Sequence, residues 1–311
     1  MSARDIVREA NRRFYERYSK LEDTNEFWEF LIKPLRQSIR INTLKVPFEV
    51  VVERLSEDYE LEQIPWVREG FFINADNLAE IPEHGLGLIF GQEASSMIPP
   101  VVLDPKPGEL ILDMAAAPGS KTGQMAQYME NEGCIIANDP QLDRANVLIA
   151  NLNKMGVLNT IVTTRDGAHF ARYGSSFDRV LLDAPCSSAG MIRKRWKFLT
   201  DWRMKRVLRY MNIQKKLILA AYRALKPGGI LVYSTCTLDP LENEEVVDYL
   251  LRKTDARLEK IDLPLRKSEP VLEWEGRSYS SELKKALRVH PGDNDTEAFF
   301  VVKIVKPEGG E

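Results

Sequence analysis

The sequence predicts an α/β fold, a doubly wound parallel sheet preceded by a small α+β module. Two observations carry this. From about Gly87 onward, apolar strand-like runs alternate with helical patterns at the spacing of parallel βαβ units. Before that point the rhythm is instead a helix followed by a short β-α-β-β succession. The boundary therefore falls at residue 85, with residues 1–85 as the N-terminal helical and α+β module and residues 86–311 as the larger domain. A chain of 311 residues has room for both.

The elements follow in order. Ile6, Val7, Ala10, Phe14 and Tyr18 lie near helical spacing, so residues 1–30 read as helix. The run Arg40-Ile-Asn-Thr-Leu-Lys45 is a short strand pattern. Pro47 opens a helix that places Val50, Val51 and Leu55 on one face. Residues 59–64 and 70–74 are extended. In the larger part, residues 109–114, 134–139, 160–166, 177–183 and 229–235 are five apolar strands. Helices fill the intervals to about Glu130, over 142–154, near Ala168 and through the basic stretch after 190. A helix over 241–252 and a last strand over 298–305 complete the pattern.

Composition narrows the function classes. No run of about 18 uncharged apolar residues exists, so a membrane-spanning helix is not expected. The start, Met-Ser-Ala-Arg-Asp, lacks the apolar run of a secretion signal, which makes a cytoplasmic protein with free thiols the expectation. Three cysteines are too few for a disulfide framework, and no Cys/His spacing implies a metal. Net charge is only −3, but the segment 193–223 holds eleven Lys/Arg against Asp201 alone. Trp196, Phe198, Trp202 and Tyr210 are interleaved with these charges. Such a mixture can hold phosphates and offer rings to unstacked bases. The same pattern also describes a solvated basic helix whose aromatics face the core.

The first strand of the larger part runs into Ala115-Ala-Ala-Pro-Gly-Ser-Lys-Thr122. Small residues there let a ligand lie against the backbone where the strand enters its helix. The run is neither a Gly-x-Gly-x-x-Gly fingerprint nor a Walker loop, which favours a nucleoside without phosphates over ATP or NAD. Asp139, 20 residues beyond Gly119, ends the second strand where an acid can accept both ribose hydroxyls. Asp166 ends the third and can accept from an adenine amine. Asp113 lies beneath the loop, and Asp183 ends the fourth strand. Each acid alone also reads as a turn former or a helix cap. Together the four fit an S-adenosylmethionine site among other nucleoside sites.

Two cysteines stand in matching contexts, Cys186 in Leu182-Asp-Ala-Pro-Cys-Ser187 and Cys236 in Ser234-Thr-Cys-Thr237. If both strands belong to one parallel sheet, both thiols end on its ligand-binding edge. A thiol pair beside an aspartate suits making and then breaking a covalent bond to an electron-poor ring. The plain alternative is two small buried residues at strand ends. Cys134, inside an apolar run, reads as core.

These motifs, with the late His290-Pro-Gly292 and Thr296-Glu-Ala-Phe-Phe-Val301, resemble the Sun-type family of RNA cytosine-5 methyltransferases. The likeness spans residues 36–305 and is strongest to archaeal enzymes that methylate transfer RNA. The resemblance implies a Rossmann-like methyltransferase sheet with an RNA-recognition-like N-terminal module. It further implies that Ala115, Ala116, Ala117, Pro118, Gly119, Ser120 and Lys121, with Asp139, Arg144, Asp166 and Asp183, contact S-adenosylmethionine or line its pocket. By the same resemblance Cys236 is the nucleophile, Cys186 the thiol that helps release product, and Asp183 a protonated donor at nitrogen 3 of the base. In DNA cytosine-5 methyltransferases the nucleophile is instead the cysteine of a Pro-Cys pair, which here is Cys186. The expected partner is RNA, foremost transfer RNA, with ribosomal RNA as the alternative; a non-catalytic RNA-binding assembly factor is the rival class. No sequence pattern specifies a helper protein.

Overall fold

The computed structural model describes residues 1–308. Its N-terminus holds three helices, α1 (Ala3–Ala10), α2 (Arg12–Tyr18) and α3 (Asn25–Ile32), where the sequence reads as continuous helix. The breaks have a local cause. Asn11 and Thr24 leave helical geometry, and their side chains accept hydrogen bonds from the Phe14 and Phe27 N–H groups, capping α2 and α3.

Next come β1 (Ser38–Ile41), α4 (Phe48–Asp58), β2 (Leu61–Gln63), β3 (Gly70–Ile73), α5 (Pro82–Gly85) and β4 (Ile89–Gly91). The strands form one antiparallel sheet in the order β2-β3-β1-β4. Ile39, Ile41, Phe71, Ile73 and Ile89 share one face of it and close over Val51 and Leu55 of α4. Val50, expected on that face, lies about 100° around the helix from Val51 and is exposed. Arg40, Phe72 and Phe90 alternate to the opposite face, against the larger domain.

This arrangement departs twice from the division at residue 85. Strand β4 pairs with β1, so the small sheet extends past that boundary to Gly91. Helices α1–α3 pack on the larger domain: Val7, Phe14, Tyr18, Phe27 and Trp28 share a core with Trp202, Leu238 and Ala298. The Arg17 guanidinium, 2.6 Å from Asp239, fixes the junction. The apolar face of the small sheet is already filled by α4, which leaves the larger domain as the place for these aromatic stripes.

The larger domain contains α6 (Ile98–Leu103), β5 (Leu110–Asp113), α7 (Ser120–Tyr128), β6 (Cys134–Asn138), α8 (Leu142–Met155), β7 (Thr160–Thr163) and β8 (Phe177–Asp183). After these come α9 (Lys197–Thr200), α10 (Met204–Ala224), β9 (Leu225–Thr235), α11 (Glu244–Lys253) and β10 (Arg257–Glu259). A hairpin of β11 (Glu273–Trp274) and β12 (Arg277–Ser278) precedes β13 (Leu287–Val289), α12 (Pro291–Asn294) and β14 (Phe299–Val305). Five strands run parallel in the order β9-β8-β5-β6-β7. The reversed strand β14 lies between β9 and β10.

Alternation along the strands supplies both faces. Leu112, Val180, Leu182, Leu231 and Tyr233 meet α10 and α11, while Ile111, Ile135, Leu181 and Val232 meet α6, α7 and α8. The chain winds from β5 toward β7 and then crosses to β8. The switch point between β5 and β8 is where open α/β sheets bind ligands, at the carboxyl ends of the strands.

Candidate active site

Beyond β5, Ala115, Ala116, Ala117 and Pro118 form a loop of short side chains, and Gly119 (φ 106°) turns the chain into α7. A Cβ on Gly119 would stand 2.9 Å from Leu148 Cδ1, so conformation and packing both demand glycine. The loop is held from behind. Ala116 N–H donates to the Asn138 carbonyl (2.8 Å), Arg144 Nη2 to the Ala117 carbonyl (2.6 Å) and Asn151 to the Pro118 carbonyl (2.8 Å). Beneath it, Asp113 accepts from Thr122 Oγ1 at 2.7 Å. Burial pushes the Asp113 carboxyl up to about 7, against the opposing pull of Thr122 and Lys121.

Asp139 follows β6 and is 1% exposed. Its Oδ1 accepts from the Gln141 N–H (3.0 Å), and Arg144 Nη1 stands 3.4 Å from Oδ2. Oδ2 nonetheless has no hydrogen-bond partner. Leaving a buried carboxylate oxygen without a donor costs on the order of 1–3 kcal/mol, and ribose hydroxyls are donors of the kind it lacks. The bare loop and this orphaned acceptor lie at one sheet edge, and they fit a nucleoside cofactor. Asp166, just beyond β7, is exposed, and its Oδ1 accepts from the Ala168 N–H at 2.9 Å. It caps the 3-10 turn Gly167–Tyr173, so one of its oxygens is committed to the protein.

Sequence reading missed the clasp between these strands. The Asn138 amide donates to the Met114 and Arg165 carbonyls (3.2 and 2.9 Å) and accepts from Thr163 Oγ1 and the Arg165 N–H (both 2.9 Å). The adjacent Asp139 drew the attention, and an asparagine at a strand end carries no signal that distinguishes it from a turn residue.

On the other side of the switch point, β8 and β9 bring the two thiols together, with Cys186 Sγ 3.2 Å from Cys236 Sγ. Both are free thiols. The hydrogen bond between the thiols outweighs burial and, with the Ser188 and Cys236 backbone, holds Cys186 below the usual thiol range. The same hydrogen bond, followed by burial and the charge on Cys186, holds Cys236 well above it.

Asp183 accepts from Ser234 Oγ at 2.8 Å and lies 2.7 Å from Lys121 Nζ. Asp183 thus meets a hydroxyl and an ammonium at the strand end where the sequence places it. Lys121 is the proton-bearing group of this pair. Burial disfavours its ammonium, but Asp183, the Cys236 sulfur and Asp113 outweigh it and hold the group above its ordinary range. Lys121 Nζ also donates to Ser96 Oγ at 2.8 Å. Among the residues expected to touch cofactor, Lys121 thus points instead to the thiol side.

Glu297 was quoted in a motif without a role. It is 3% exposed, its Oε1 has no partner, and burial with neighbouring Glu93 pushes it up to about 8. Its backbone connects to the thiols: Ala298 N–H donates to the Gly190 carbonyl and Gly190 N–H to the Cys236 carbonyl.

The basic stretch divides between the two readings it allowed. Lys194, Arg195, Lys197, Arg203, Lys205, Arg209, Lys216 and Arg223 are exposed, as is Trp196, whereas Trp202 is buried against Phe14 and Tyr18. Arg193 is buried and clamps the Lys33, Pro34 and Thr296 carbonyls.

A five-stranded parallel sheet with one reversed strand beyond it, and a bare loop facing a ribose-type acid, define an S-adenosylmethionine-dependent methyltransferase. The chain belongs to the family described as 16S rRNA methyltransferase RsmB/F, whose model matches residues 100–305. The model for the N-terminal domain of 16S rRNA methyltransferase RsmF matches residues 11–94. The tRNA (cytosine(49)-C(5))-methyltransferase of Pyrococcus abyssi is 64% identical over 310 residues, 99% of this chain and 100% of that protein. Ribosomal RNA small subunit methyltransferase F of Shewanella denitrificans is 40% identical over 89% of this chain, which spans only 56% of that protein's length. The solved structure of NSun6 from Pyrococcus horikoshii with SFG is 25% identical, with TM-score 0.81 over 99% of this chain and 98% of that one.

Proposed function

We propose that this protein acts in the cytoplasm to transfer a methyl group from S-adenosylmethionine to carbon 5 of a cytosine in transfer RNA, through a covalent adduct on Cys236. The observation that carries the reading is the thiol pair, 3.2 Å apart beside the Lys121–Asp183 ion pair, at the edge that also bears the cofactor loop. The full-length likeness to a transfer-RNA cytosine-5 enzyme selects the substrate.

S-adenosylmethionine, when bound, supplies an electrophilic methyl group. Residues 115–120 and Asp139 would hold it, Arg144 fixes the loop to Asp139, and the second oxygen of Asp166 would serve the adenine edge. Carbon 5 of cytosine is a weak nucleophile until a thiolate adds to carbon 6. Cys236 passes its proton to Cys186 and makes that bond, which leaves carbon 5 enamine-like and able to take the methyl group. Lys121, oriented by Asp183, meets the negative charge that develops on the ring. Cys186 then gives its proton to solvent, and it or a water it positions removes the carbon 5 proton as Cys236 is expelled. The base must leave its stack to reach both thiols. The four-stranded module and the exposed cations of α9 and α10 form the RNA-facing surface.

A ribosomal substrate is the second reading, favoured by the family description and by the RsmF relatives. Labelled S-adenosylmethionine with unmodified total RNA, sized on a gel and digested for 5-methylcytidine, separates the alternatives. The proposal expects label in the transfer-RNA band. Label in small-subunit ribosomal RNA alone overturns the substrate, and cofactor binding without label in any RNA points to an assembly factor.

A further inference from the structure

Close to the thiols lies a buried carboxyl group that the mechanism above does not use. Glu242, in the loop from β9 to α11, is 0% exposed. Its Oε1 accepts from the Ser187 N–H at 2.8 Å and from Gln214 Nε2 at 3.1 Å. Its Oε2 accepts from the Ser187 hydroxyl and from Thr237 Oγ1, the latter at 3.3 Å. Ser187 and Thr237 are the residues immediately after Cys186 and Cys236, and their hydroxyls lie 3.0 Å apart. Gln214 also donates to the carbonyl of Pro185, immediately before Cys186, at 2.9 Å. The Tyr233 hydroxyl ties the Glu242 backbone carbonyl to β9 at 2.6 Å.

We propose that Glu242 is a positioning residue that sets the separation of the two thiols by gripping Ser187 and Thr237 together. This rests on reading Cys186 and Cys236 as the reacting pair. The sheet cannot do the job alone, because the register between β8 and β9 ends at Asp183 and Ser234, before either cysteine. Past that point each chain enters its own turn, and a carboxyl group with two oxygens can bridge the turns where a single hydroxyl cannot. Burial, and then the charge on Cys186, push the Glu242 carboxyl well up. A glutamine keeps an acceptor for the Ser187 and Gln214 N–H groups and turns donors toward the two hydroxyls, which can accept as well as donate.

The test uses the full chain with Glu242→Ala, Glu242→Gln and Ser187→Ala. The rate of iodoacetamide alkylation at each cysteine is followed against pH by mass spectrometry, alongside kcat and KM for methyl transfer to the accepting RNA. Glu242→Ala is expected to lower kcat about a hundredfold, with both KM values within about threefold, as displacement of a reacting group by about an ångström does. The thiol that titrates low in the wild type should return to the ordinary range. Glu242→Gln should recover most of the lost rate, and Ser187→Ala should lose about tenfold. An unchanged kcat in Glu242→Ala overturns the proposal. So does a lost rate with the paired titration intact, or a Glu242→Gln as impaired as the alanine variant. If Glu242→Ala does not fold, Ser187→Ala decides: unchanged rate and unchanged alkylation sink the clamp. Undiminished transfer by Cys236→Ala and by Cys186→Ala would instead sink the thiol reading, while the alkylation profile still reports on the clamp alone.

Discussion

The two halves of the sheet's carboxyl edge are finished to different degrees. On the thiol half, the groups that flank the two sulfurs have partners, and the orphaned oxygens, Gln214 Oε1 and Glu297 Oε1, belong to residues further back. Asp183 holds Lys121 and Ser234, Glu242 holds the turns after both cysteines, and the two thiols share a hydrogen bond. On the cofactor half, Asp139 Oδ2 is buried without a donor, and the small side chains of residues 115–119 reach no further than the loop itself. The difference separates a group that must arrive from groups that must already be in place. Binding can complete the hydrogen bonds of a nucleoside, whereas the reacting thiols and their cation have to be set before a base enters.

That contrast is broken or sharpened by substitutions on either half. The largest effect belongs to Lys121→Met, which removes the cation beside Cys236 and leaves Asp183 without its partner. It should lower kcat by about a thousandfold, as loss of a preorganised charge does. A thiolate is stabilised by that ammonium, so its removal raises the pH at which the thiolate forms. The rising limb of the kcat/KM profile should therefore move to higher pH, and the loss at pH 7 should exceed the loss at pH 9. An equal loss at both values would mean that Lys121 does not act on the thiols.

On the cofactor half the effect is smaller and of another kind. Asp139→Ala should raise the KM for S-adenosylmethionine by roughly thirtyfold, the scale of hydrogen bonds to a charged group. At saturating cofactor its kcat should stay within about threefold of the wild type. Titration calorimetry with the cofactor checks the same point without RNA, and undiminished binding would remove Asp139 from the pocket. The smallest effect belongs to the exposed cations. Arg209→Ala should weaken RNA binding a few-fold at moderate salt and reduce the slope of log affinity against log salt by about 1. A slope identical to the wild type would place α10 away from the phosphates.

The parallel strands were legible in the sequence because each is an apolar run ending in a turn, and Cys186 and Cys236 were found because each follows such a run, β8 and β9. What stayed hidden depends on contacts distant in the chain. Phe14, Tyr18 and Trp28 announce an apolar stripe but not which surface receives it, so the packing of α1–α3 on the larger domain was not legible. Ile89, Phe90 and Gly91 are too short a run to reveal a strand that closes the small sheet. Trp202 and Trp196 looked alike within the basic stretch, and only packing separates the core residue from the exposed one. Glu242 escaped notice because its partners, Ser187 and Gln214, lie 55 and 28 residues away. Asp183 stands at its strand end as expected, but nothing local to it reveals that Lys121 and Ser234 meet it there.

Adduct trapping tests the division of labour between the thiols most directly. Cys186→Ala and Cys236→Ala are each incubated with S-adenosylmethionine and unmodified transfer RNA, and the products are separated on a denaturing gel. A slowly migrating protein–RNA species with Cys186→Ala, absent with Cys236→Ala, is the result the account predicts. The same species appearing with Cys236→Ala, and not with Cys186→Ala, would contradict it and make Cys186 the nucleophile.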